Sequence, residues 1–212
     1  VYQMLAHGIS TGGLFLIVGM LSDRRHTRLI AEFGGLKAVT PKLVAAFLLI
    51  TLASVALPGL NGFVGEFLIL LGSYTGAFSP EHARYYTAVA ATGVILSAVY
   101  MLWMFQRVNY GPLTNPKNKG LRDLSVREWF VIAPVCAMAI VMGVVPGVFL
   151  TPMEPAVRKT VERIVGTPGP KNTESRLQAP EVGAVPDGGR VVPDGGRVFS
   201  PGVPRTPARE VR

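Results

Sequence analysis

Four stretches of this chain, residues 2–21, 43–78, 85–105 and 129–150, carry one charged side chain among them, Glu66. No other feature limits the fold as strongly. A helix rises 1.5 Å per residue, so about 20 apolar residues cover a hydrocarbon core of roughly 30 Å. In lipid every backbone polar group must be satisfied within the protein, which leaves α-helices as the form for such segments. The fold class expected is all-α: an integral membrane helical bundle of about four transmembrane crossings. Composition agrees, because 49% hydrophobic and 16% charged residues are too apolar a mixture for an ordinary soluble domain. The chain opens on Val1 inside an apolar run with no charged flank, so it reads as a piece of a longer protein.

The second run is too long for one straight crossing: 36 helical residues would measure roughly 54 Å. The sequence LPGLNGFVGEF interrupts it, with Pro58 lacking an amide proton and Gly59 and Gly62 loosening the backbone around Asn61. The helix break is expected at Pro58, Gly59, Asn61 and Gly62. Either two offset half-helices make one discontinuous crossing, or a hairpin turns at the motif. Charge separates the two. Residues 23–42 hold five basic side chains and residues 107–128 five more, whereas residues 79–84 hold only Arg84. A single broken crossing puts both basic loops on one face of the membrane, as the positive-inside rule requires, and a hairpin puts them on opposite faces. The expected threading has both basic loops cytoplasmic and an extracytoplasmic C-terminus.

The net charge of +8 raises the question of nucleic acid, but the 21 Lys and Arg are spread over loops and a tail without interleaved aromatics, so no nucleic-acid partner is expected. From residue 167 the chain turns to Pro, Gly and charge, with VPDGGR repeated at 185–190 and 192–197. Such composition builds no core, and 167–212 is expected to be a disordered tail beyond a membrane portion at 1–152 and a short flank at 153–166.

Within the apolar runs only Glu66 and His7 carry groups that titrate near neutrality. A carboxylate deep in a bilayer costs about 2.5–3.5 kcal/mol even on lenient insertion scales, so it faces a cavity or a partner and marks an ion path. A broken helix also frees backbone groups at membrane depth, tolerable where they line a hydrated cavity. Glu66 is expected at the start of the second half-helix, near its free amides. Break and acid together suggest a proton relay. The competing account is a structural Glu66 tied to a fixed partner, or an acid nearer the interface. His7 precedes Gly8, Ser10, Thr11, Gly12 and Gly13, a small and polar surface suited either to bound water or to close helix packing. Its imidazole can pass a proton from one ring nitrogen to the other, and a packing histidine is the alternative.

The remaining features are plainer. His26 and His82 are expected in solvated loops, and residues 24–33 as a short amphipathic helix at the interface, with Arg107 anchoring its own span. The lone Cys136 in an apolar run reads as a small core residue. There is no GxGxxG after a strand, Walker phosphate loop, cysteine cluster or paired-histidine metal motif, so no metal and no bound cofactor are expected on these residues.

The run AHGISTGGLFLIVGMLSDRRHTRLIAEFGGL, followed by LPGLNGFVGEFLILLGSY, resembles the C-terminal part of the M subunits of NADH-quinone oxidoreductase, respiratory complex I, the counterparts of mitochondrial NADH dehydrogenase subunit 4. The likeness covers roughly residues 1–152. It implies an antiporter-like, proton-translocating subunit in the membrane arm, with Glu66 on the acid of the discontinuous helix and His7 on a histidine of the same hydrophilic axis. NADH, FMN, iron–sulfur clusters and quinone would be bound by other subunits. Sister subunits L and N would be partners, with a bacterial inner membrane as the location. Those sister subunits and Mrp-type antiporters usually carry lysine where this chain has Glu66. The alternatives are a subunit of an Mrp-type sodium/proton antiporter, or a non-transporting membrane scaffold with a dry, packed Glu66.

Overall fold

A computed structural model of the protein describes residues 1–76 and 80–165. The tail from residue 167 and part of the turn after residue 76 lie outside the described residues. Six α-helices are present among them: α1 Tyr2–Arg25, α2 Pro41–Ser54, α3 Asn61–Tyr74, α4 Pro80–Asn109, α5 Val126–Val144 and α6 Gly147–Val165. Short 3-10 turns lie at Ile30–Glu32, Leu36–Ala38 and Pro116–Asn118. By length and composition α1, α5 and the Glu81–Asn109 stretch of α4 can each cross a membrane.

At 14 residues apiece, α2 and α3 would each measure about 21 Å and cross only together. Their partners appear in a fixed order. Along α1, Gly13 lies against Ile50, Ala6 against Asn61 and Gln3 against Gly65. Along α4, Phe105 meets Phe47 with ring centroids 5.4 Å apart, and Thr87 donates to Ser73 at 3.0 Å. A hairpin would reverse that order after residue 57. The second crossing is therefore one line of two half-helices, antiparallel to both α1 and α4.

The break is built from two local devices. Ala56 takes a left-handed conformation (φ 57°), Leu57 N donates to Leu52 O at 3.0 Å and Ala56 N to Ala53 O at 3.4 Å, which is a Schellman ending for α2. Residues 57–60 then fold as a turn closed by Leu60 N to Leu57 O at 3.1 Å, with proline second and Gly59 (φ 92°) third, the pattern of a type II turn. The helix thus stops at Ser54, four residues before Pro58, while Asn61 and Gly62 are the first two residues of α3 rather than part of the interruption. Gly62 is needed there because a Cβ would overlap the Ala53 carbonyl at the end of α2.

The fourth crossing runs antiparallel to α1, with Glu128 beside Arg24, Val135 beside Gly13 and Met142 beside Tyr2. It is shorter than the apolar run at 129–150 suggests. Pro146 has no N–H to offer Met142 four residues back, so α5 ends at Val144 and α6 starts afresh. The buried Met142 carbonyl takes the Tyr2 hydroxyl instead, at 2.6 Å.

Two loops close one end of the bundle. Gly35 N donates to Tyr110 O at 3.1 Å, Arg24 pairs with Glu128 at 2.7 Å, and Asn115 and Asn118 each donate to the Glu32 carbonyl at 3.1 Å. The amphipathic helix expected at 24–33 is absent: α1 continues to Arg25, and both arginines turn inward to Glu128 and Glu32. The two histidines differ: His26 is exposed at the start of the loop after α1, as expected, whereas His82 is not in a loop. His26 closes α1 in a left-handed conformation (φ 53°), and His82 lies in the first turn of α4 with its ring 6.0 Å from that of Tyr86.

Candidate functional site

Glu66 is the sixth residue of α3, one turn beyond the free amides expected to face it. Its neighbours set its surroundings more than the helix end does. A cavity of about 260 Å³ opens between α1, α2, α3 and α4, lined by Gln3, His7, Ser10 and Thr11 of α1, Ser54 of α2, Gly62 and Glu66 of α3, and Ser97 and Tyr100 of α4, closed by Leu14, Ala53 and Met101. Glu66 and His7, 59 positions apart in sequence, thus share one chamber. Of the expected break residues Gly62 reaches it. Pro58 and Gly59 border a separate apolar groove with Leu48, Leu52 and Ile140.

The local hydrogen bonds leave the chamber polar. Ser10 and Ser54 spend their hydroxyl protons on carbonyls of their own helices, Ala6 O at 3.1 Å and Ile50 O at 2.9 Å, so their oxygens remain as acceptors. Thr11 Oγ1 lies 3.2–3.3 Å from both ring nitrogens of His7 and can hold the ring in either tautomer. Glu66 Oε2 and Gln3 Oε1 are shielded from the outer surface and meet no donor among the described residues. Gln3 comes this close because its neighbour on α3 is Gly65, where a Cβ would overlap the Gln3 side chain.

Asn61 fixes the geometry from outside the chamber. Fully buried, it donates Nδ2 to the Ala6 carbonyl at 2.9 Å, joining the first turn of α3 to α1 one residue from His7. Gln3, Ser54, Ser97 and Tyr100 escaped the sequence reading. Ser97 and Tyr100 are polar side chains three apart in an apolar helix, a signal that was available, whereas Gln3 and Ser54 gave none. No cluster of three or more His, Cys, Asp or Glu exists among the described residues.

The profile of a family described as NADH:quinone oxidoreductase/Mrp antiporter, TM matches residues 1–79, from α1 through the broken crossing. The NADH-quinone oxidoreductase subunit M of Mycobacterium tuberculosis (strain CDC 1551 / Oshkosh) is 44% identical over 163 residues, 76% of this chain and 28% of the relative. The chain belongs to this family. Subunit M of Rhodobacter capsulatus is 41% identical over 162 residues, 76% of this chain and 30% of the relative. A chain of respiratory complex I from Thermus thermophilus with bound NADH superposes with a TM-score of 0.63 at 38% identity, covering 73% of this chain and 31% of its own length. The chain therefore spans under a third of the length of these family members. The part matched by the family profile includes both Glu66 and His7, and ends before Ser97 and Tyr100.

Proposed function

We propose that the chain is part of the membrane arm of an NADH-quinone oxidoreductase and takes part in proton translocation coupled to NADH oxidation and quinone reduction. Glu66 accepts and releases the proton, and His7 hands it along the chamber. The observation that carries this reading is the polar chamber that holds both groups beside an interrupted crossing. A carboxyl among hydroxyls and an imidazole can gain or lose a proton without being stranded in apolar surroundings, which a fixed structural acid does not need. Redox chemistry belongs to partner subunits, with subunits L and N as neighbours in the bilayer. The loop end of the bundle, residues 23–42 and 107–128, carries ten basic side chains and faces the cytoplasm of a bacterial inner membrane, with the start of α6 on the far side.

The test is Glu66→Gln in the complete subunit within its complex. Proton pumping measured per electron transferred should fall several-fold with the complex still assembled, and a parental ratio would overturn the role. His7→Ala should cause a smaller loss in the same measurement. Activity equal to the parent would leave the histidine as packing.

A further inference from the structure

At the loop end of the bundle, α2 and α5 begin side by side and enclose a cleft of about 370 Å³ lined by Lys42, Leu124, Ser125, Val126 and Trp129. Its charge balance is unusual. Residues 23–42 and 107–128 together hold ten basic and four acidic side chains, and the acids beside the cleft are engaged inward. Asp123 accepts from the amides of Lys42 and Leu43 at 3.0 Å each and of Leu124 at 2.8 Å. Glu128 accepts from Arg24 at 2.7 Å and from the Ser125 amide at 2.8 Å. Neither acid reaches the Lys42 ammonium, which is exposed and makes no ion pair among the described residues, and the same holds for the adjoining Arg127. The amides bound by Asp123 also tie the start of α2 to the segment entering α5, so both walls of the cleft are fixed.

The apolar side is as well defined. Trp129 is half exposed, and Val126 and Phe130 are each 75% exposed on the first turns of a helix that can cross a bilayer. Tryptophan at the end of a membrane helix lies at headgroup depth, where its ring is apolar and its N–H stays wet. A lysine at the same level keeps its stem along apolar surface and its ammonium in the headgroup layer.

We propose that this cleft binds one anionic phospholipid, its phosphate held by Lys42 with the Ser125 hydroxyl alongside, its glycerol against Trp129 and its acyl chains along Val126 and Phe130. Basic pockets between membrane helices on a positively charged face recognise such headgroups. The inference needs the bundle to span a bilayer and is independent of whether Glu66 carries protons.

The experiment uses the complete subunit in its complex, stripped of lipid in detergent and exposed to a photo-crosslinking phosphatidylglycerol. The label should map to the peptide containing residues 124–130. Lys42→Gln should weaken labelling about fivefold, the effect of one basic side chain at an anionic membrane surface, and Lys42→Arg should retain it. A phosphatidylcholine probe on the unaltered complex, which needs no variant, should label this peptide weakly. Equal labelling by the two lipids, unchanged labelling in Lys42→Gln, or displacement of the probe by millimolar inorganic phosphate would each overturn the proposal.

Discussion

Asn61 has one amide and two demands on it, and only one is met. Its Nδ2 holds the Ala6 carbonyl, while its Oδ1 is buried with no donor among the described residues. An interhelical hydrogen bond inside a membrane protein is worth about 0.6 kcal/mol on average and up to about 1.7. Leucine at this position would lose the bond but also remove the unsatisfied oxygen, so Asn61→Leu should cost under about 1 kcal/mol. Asn61→Asp removes the donor and buries a charge, and should cost several times more in unfolding of the complete subunit. Both variants lose the Ala6 bond, so if they unfold alike, no unpaired charge is being buried at this position. The chamber shows the same division of labour. Gly65 contributes by having no side chain, and thereby admits Gln3 next to Glu66.

The end of α5 depends on a residue more than a hundred positions away. Pro146 cannot supply the N–H that the Met142 carbonyl would receive in a continuing helix, and Tyr2 fills that place. Tyr2→Phe should therefore cost about 1–3 kcal/mol, the penalty of a buried carbonyl without a donor. The loss should shrink in a Pro146→Ala background, where the backbone N–H is restored. A double-mutant cycle on unfolding midpoints would measure that coupling, and simple additivity would contradict it. These helices differ in how far the sequence foretells them. The broken crossing was legible because a run too long for the bilayer contains Pro58, Gly59 and Glu66, all local signals. The stop before α6 was signalled equally by Pro146 and Gly147, but apolar residues on both sides mask it when length is judged by hydropathy alone. The missing helix at 24–33 had no local warning. Its arginines are claimed by Glu128 and Glu32, one of them about a hundred positions distant.

Across the whole molecule the polar contacts concentrate at the loop end, where they fix how α1, α2 and α5 meet. Arg24 is the centre of this set, reaching Met20 O, Arg122 O, Asp123 O and Glu128. Both side chains of the pair are largely buried, at 14% and 16% exposure, so solvent screens them little. Glu128→Gln would leave the Arg24 guanidinium among carbonyls without its counter-charge and should destabilise the bundle by about 2 kcal/mol, less than the 3–5 kcal/mol of a fully buried pair. A denaturation midpoint unchanged by this substitution at both low and high salt would show the pair to be dispensable. The same long-range character explains why the chamber was only half visible in the sequence. Glu66 and His7 stand out as polar intruders in apolar runs, whereas Ser97 and Tyr100 join them because α4 passes both halves of the second crossing.

Because four separate helices each contribute a wall, this chamber is a property of assembly and of no single peptide. A polypeptide nicked between Gly76 and Pro80 would leave Gln3, His7, Ser54 and Glu66 on one piece and Ser97 and Tyr100 on the other. Co-expression of the two pieces would then report by complementation whether the first three helices can recruit the fourth through the bilayer.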